Sequence, residues 1–82
     1  MSEPIAVEAW FDVDGNLKPM AFEWNEQHFI IDSHGRHWEE DGNHHFLVMV
    51  AGDQVFELAY LPSKNQWQLI RTPQDFNRPQ IV

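Results

Sequence analysis

Apolar residues recur at every second position along this chain, and turn-forming clusters interrupt them about every eight to twelve residues; no other feature constrains the fold as much. Ile5, Val7, Ala9 and Phe11 share one parity, as do Met20, Phe22 and Trp24. Phe29 and Ile31 follow, then Phe46, Val48 and Val50, then Phe56, Leu58 and Tyr60, and finally Trp67 and Leu69. Intervening positions such as Glu8, Glu23, Asp32, Glu57, Gln66 and Gln68 are mostly polar, as a strand with one buried face requires. The breaks are Asp14-Gly15-Asn16, Asn25-Glu26-Gln27, His34-Gly35-Arg36, Asp41-Gly42-Asn43, Gly52-Asp53 and Pro62-Ser63-Lys64-Asn65. Sustained helical spacing is missing, and β-branched and aromatic residues dominate the apolar set. The expectation is an all-β antiparallel meander of about six strands.

With 82 residues the chain builds one modest core, and four Trp with six Phe supply bulk that its length cannot. A flat sheet would leave one apolar face wet, so the meander is expected to curl into a small barrel-like (SH3-like) or two-layer domain. The stretch from Gln27 towards Glu40 is expected to bend at Gly35, so that one strand serves both layers. Phe46-Leu47-Val48-Met49-Val50 is apolar on both parities and reads as a central strand. Residues 1–72 form the β domain in this reading. Residues 73–82, with two prolines and no alternation, form a C-terminal extension, loose or docked, for which Phe76 supplies an anchor.

Thirteen Asp and Glu against five Lys and Arg give a formal charge of −8, and the basic residues are scattered. That field repels phosphate backbones and weighs against direct nucleic-acid binding. The absence of cysteine removes disulfides, thiolate metal sites and cysteine nucleophiles. No apolar run approaches the ~20 residues of a membrane span, and Met1-Ser2-Glu3-Pro4 lacks the layout of a signal peptide. A cytoplasmic protein without a membrane partner is expected.

The densest cluster of chemistry-bearing side chains is His34, His37, His44 and His45, interleaved with Asp32, Glu39, Glu40 and Asp41. Zinc accepts imidazole and carboxylate ligands, so a metal or small-ligand site over residues 34–45 is one reading. If Arg36–Glu40 pairs with His44–Phe46 across Asp41-Gly42-Asn43, adjacent His44 and His45 point to opposite faces and at most one joins any site. The competing reading, polar turn and edge residues around a core Trp38 and Phe46, needs no cofactor and is preferred. Asp12-Val13-Asp14-Gly15-Asn16, with Glu23 at the twelfth position, resembles a calcium-loop opening. Leu17 stands where that loop needs Gly, and both flanks alternate like strands, so a tight β-turn explains it better. Ser33 and Ser63 lie in expected turns without a recognisable nucleophile pattern, and an enzyme is not expected.

The large aromatics point elsewhere. Trp10 falls on the opposite parity from Ile5, Val7 and Phe11, so either Trp10 or Phe11 must sit near the surface or at a barrel end. Trp10, Trp24 and Trp38 are the candidates for an aromatic binding surface; filling the core and barrel ends is the competing role. The leading expectation is a non-enzymatic domain that binds a protein partner or itself through an aromatic groove or an edge strand.

The ordered series Gly15, Pro19, Phe22-x-Trp24, Phe29-Ile30-Ile31, Trp38-x-Glu40, Phe46-x-Val48, Phe56-Glu57-Leu58-x-Tyr60 and Trp67-x-Leu69-x-Arg71 resembles a small bacterial all-β domain of unknown function. That domain occurs as short stand-alone proteins and appended to some proteins related to translesion DNA polymerases. The resemblance spans about Ile5 to Arg71 and implies a compact β domain linked to DNA-damage tolerance through protein contacts. This chain carries Glu, Gln and His where the family carries more Arg. The resemblance implies no catalytic residues.

Overall fold

The computed structural model describes residues 2–76. It contains β1 (Glu3–Phe11), β2 (Leu17–Trp24), β3 (Gln27–Ile30), β4 (Ser33–Glu40), β5 (Asn43–Val50), β6 (Gln54–Leu61), β7 (Gln66–Arg71) and one helical turn, α1 (Pro73–Phe76). The seven strands form a single antiparallel sheet in the order β3-β2-β1-β7-β6-β5-β4, curled into a half-barrel. The small all-β domain expected from the alternation is what the chain forms. The remainder of the expected extension, residues 77–82, lies outside the described residues.

The two outermost strands, β3 and β4, are consecutive in the chain, and the link between them draws the sheet round. Ile31 N–H donates to the Met20 carbonyl of β2 at 3.0 Å, and the next residue, Asp32, donates to the Met49 carbonyl of β5 at 2.8 Å. A ring nitrogen of His34 lies 2.6 Å from the Pro19 carbonyl and adds a third tie. The bend therefore falls at Ile31–Asp32, not at Gly35. Ile31 is buried in the core while Asp32 is exposed, so the corner is set by one residue turned in and the next turned out. Gly35 instead lies within β4, where the register slips between His34 and His37. A Cβ added there would stand 3.4 Å from the Leu47 carbonyl oxygen, at the near limit of ordinary contact.

The hairpins follow local chemistry. Asn25 and Glu26 join β2 to β3, and Asp41 and Gly42 join β4 to β5, each pair with both φ angles positive. Two-residue turns of this kind match the right-handed twist of the flanking strands. The sequence breaks at 14–16, 52–53 and 62–65 fall between strands, those at 25–27 and 41–43 end on the first residue of the next strand, and the break at 34–36 lies inside β4.

The core lies on the inner face. Phe22, Phe56, Leu58, Leu69 and Val48 are almost fully buried, with Phe46, Val50 and Ile31 beside them. Phe56 on β6 meets Phe22 edge-on at 5.0 Å and Trp24 at 5.7 Å, and Phe29 stacks on Phe22 at 5.1 Å. These rings join opposite walls of the half-barrel. Each fully buried apolar side chain contributes about 1.5–3 kcal/mol, so a few of them decide the fate of so small a domain. Strand β5 is an interior strand, paired by β4 and β6, but lies one strand in from the edge of the sheet order and not at its centre. Its second apolar row, Leu47 and Met49, lines a depression of about 220 Å³ on the outer face together with Ser33, Gly35 and Val55.

Candidate functional site

Two features stand outside the core: a polar band on the outer face of the sheet and a projecting hairpin arm.

The band is built round Glu57, a carboxylate 4% exposed in the middle of β6 between buried Phe56 and Leu58. Arg71 Nε donates to its Oε1 at 2.6 Å, and His45 Nδ1 lies 2.8 Å from its Oε2. Simple alternation from Trp67 and Leu69 would send Arg71 to the inner face. A register slip opposite Glu57 and Leu58 adds Ile70 to β7, and Arg71 then pairs with Glu57 on the outer face. Trp38 stacks on His45 at 5.3 Å and 12°, Arg36 lies over Trp38 at 5.3 Å, and Arg71 lies over Phe76 at 4.2 Å. Both Glu57 oxygens are thus engaged by the protein itself. The band ties β4 to β7 and docks α1.

The arm arises because β1 outruns β7. Pairing between β1 and β7 ends at Ile5, whereas pairing with β2 continues to Phe11. The ladder between β1 and β2 slips at Glu8 and Ala9, which face Ala21 and Pro19, so Met20 is an extra residue that leaves the alternation. Met20 is accordingly 40% exposed although its parity matches that of core Phe22. Beyond the slip, Trp10 faces Lys18 and Phe11 faces Leu17. Trp10 is 58% exposed, Phe11 64%, and Val13 at the tip is fully exposed. Parity demanded that one of the two rings reach the surface; both do.

At the tip, the Asp12 carboxylate accepts hydrogen bonds from the backbone of Asp14 and Asn16, each at 2.9 Å, and from Asn16 Nδ2 at 3.1 Å. The bonds from Asn16, helped by those from Asp14 and Gly15, hold its pKa below the ordinary aspartate value. The residues that resemble a calcium loop close their own turn. Glu23 stands away from them in β2, opposite His28.

The four sequence-selected histidines are only partly brought together: the His37 and His44 rings are neighbours, 6.2 Å apart, while His34 and His45 stand elsewhere. His34 ties the seam, His37 stacks on Phe46 at 4.5 Å, His44 neighbours Tyr60, and His45 joins Glu57 on the other face. His44 and His45 point to opposite faces, as the hairpin register requires. Among the described residues no group of three or more His, Cys, Asp or Glu is placed to hold a metal ion. The three selected tryptophans do not share a surface either. Trp10 is on the arm; Trp24 packs against the core and donates Nε1–H to Glu3 at 3.0 Å; Trp38 lies in the outer band and is not core.

Sequence reasoning missed the partnership of Glu57, Arg71 and His45. The available signal was an acid inside an otherwise apolar stretch, Val55-Phe56-Glu57-Leu58-Ala59, where a charge needs a partner.

The fold and surfaces define a small all-β domain with an aromatic hairpin arm. In comparisons with known proteins the chain matches no family model, no curated protein and no solved structure. Among the described residues no helix is long and apolar enough to cross a membrane.

Proposed function

We propose that this chain is a non-enzymatic interaction module that uses the β1–β2 arm as its contact surface. The observation that supports this reading is the coincidence, on one projecting hairpin, of Trp10, Phe11 and Val13 exposed with a strand edge paired on one side only. Large rings held on a rigid element are the residues that anchor protein contacts, because they bury much area for little side-chain entropy. The arm's strand adds a second means of recognition, main-chain pairing with a neighbouring strand. A link to DNA-damage tolerance rests on the family resemblance alone, and the formal charge of −8 favours protein contacts over direct DNA contact.

The test compares the wild-type chain with a Trp10→Ser, Phe11→Ser variant in chemical crosslinking within host extract and in purified form. Crosslinks to self or partner that are lost in the folded variant support the module. Identical patterns from both proteins, or none from either, count against it.

A further inference from the structure

The free edge of β1 has a definite hydrogen-bonding phase. Pro4 lies opposite Gln68 and has no N–H, so the β1 residues that exchange hydrogen bonds with β7 are its neighbours Glu3 and Ile5. Backbone groups alternate between the two sides of a strand. Val7, Ala9 and Phe11 therefore direct N–H and C=O to the same side as Glu3 and Ile5, beyond the last residue paired with β7. Among the described residues no strand pairs with them there.

We propose that this edge joins two copies of the chain, antiparallel about a two-fold axis at Ala9. The inference rests on the interaction reading above and names its partner. Residues that face each other in an antiparallel pair lie on one side of the sheet, so the two-fold must pass through a residue and not between two. A centre at Glu8 sets two carboxylates face to face, which destabilises the pair. A centre at Trp10 leaves Val7 unpaired. The centre at Ala9 uses all three edge residues: Val7 faces the second copy's Phe11, Ala9 faces its own counterpart, and Glu8 faces the second copy's Trp10.

Charge complementarity favours the same register. Lys18 is the cross-strand neighbour of Trp10, so Glu8 of one copy and Lys18 of the other flank the same indole from opposite sides. A lysine stem laid along that ring brings its ammonium towards the carboxylate. The four exposed rings with Val7, Ala9 and the strand backbones bury on the order of 1,000 Å², the lower limit for a specific interface, and a reversible dimer follows. Each copy carries −8, so added salt screens their mutual repulsion and strengthens the dimer, the reverse of nucleic-acid binding.

Sedimentation equilibrium of the full chain from micromolar to millimolar concentration tests the proposal. The expected result is a reversible monomer–dimer equilibrium that Ala9→Pro weakens at least roughly tenfold, because the lost N–H points to the free edge and the ring blocks pairing. A nitroxide on Ala9→Cys, in a chain with no other cysteine, should show dipolar broadening where dimer forms; one on Gln27→Cys, two strands away, should not. The labelled protein decides the matter should Ala9→Pro fail to fold. A strict monomer at every concentration overturns the dimer, and arm-dependent crosslinks to another protein would then leave the module reading standing. A dimer without broadening at Ala9 overturns the edge assignment.

Discussion

Arg71 reaches the buried Glu57 carboxylate, Nε to Oε1 at 2.6 Å, only because β7 carries one extra residue, Ile70, before it. The guanidinium is itself about half exposed, so the pair is a lid over a buried charge and not a fully buried ion pair. Removing the lid leaves Glu57 with His45 alone. Arg71→Met should therefore cost about 1–3 kcal/mol, and adding Glu57→Leu should recover most of it, because the uncompensated carboxylate is then gone. Urea denaturation of the single and double variants measures both values; equal losses in the two would contradict this account of the band.

Phe56 is completely buried and touches Phe22, Trp24 and Phe29, which makes it the ring on which both walls of the half-barrel close. Phe56→Ala should cost about 3–5 kcal/mol, a large part of the stability of a domain this small. Loss of near-ultraviolet ellipticity in the variant at ambient temperature is the expected sign, and an unchanged melting transition would refute the assignment.

Glu26 occupies the second position of a two-residue turn with φ +62°, where glycine is the preferred residue. Glu26→Gly relieves a left-handed side chain and should raise stability by about 0.5–1 kcal/mol, after the greater freedom of glycine in the unfolded chain is subtracted. Thermal unfolding followed by circular dichroism checks the sign.

Asp12 gives the arm its pH dependence. Its folded pKa is lowered, chiefly by hydrogen bonds from Asn16, so the ordering it provides is present above the unfolded aspartate value and is lost as pH falls through the folded one. The amide resonances of Asp14 and Asn16 should titrate together, with a midpoint below that of an unperturbed aspartate, and should become pH-independent in Asp12→Asn. Midpoints at the unperturbed value would show that the turn does not hold the carboxylate.

Period-2 alternation makes the strands, most hairpins and the opposite orientations of His44 and His45 legible, because each depends only on neighbours along the chain. Phase slips are different. Met20 and Ile70 each add one residue to a ladder, which moves every later side chain to the other face; Pro19 beside Met20 is a local mark of a bulge, and nothing local marks Ile70. For that reason Arg71 reads as an inner residue and Met20 as core until tertiary pairing is known. The seam at Ile31–Asp32 is similarly non-local, since it is set by carbonyls of Met20 and Met49 on two distant strands. Trp10 was the legible part of the arm, through its parity conflict with Phe11. That Trp24 and Trp38 lie elsewhere depends on the curl of the sheet, which alternation does not encode.

Hydrogen exchange at Ala9 N–H, followed against protein concentration, tests the edge interface most directly. Its N–H points away from β2 and past the end of β7, so the monomer leaves it open to solvent, and pairing with a second copy closes it. The account predicts exchange at Val7, Ala9 and Phe11 that slows as concentration rises, while Glu8 and Trp10, which face β2, change little. Exchange at Ala9 that stays fast at every concentration, or that is already slow in dilute monomer, would contradict it.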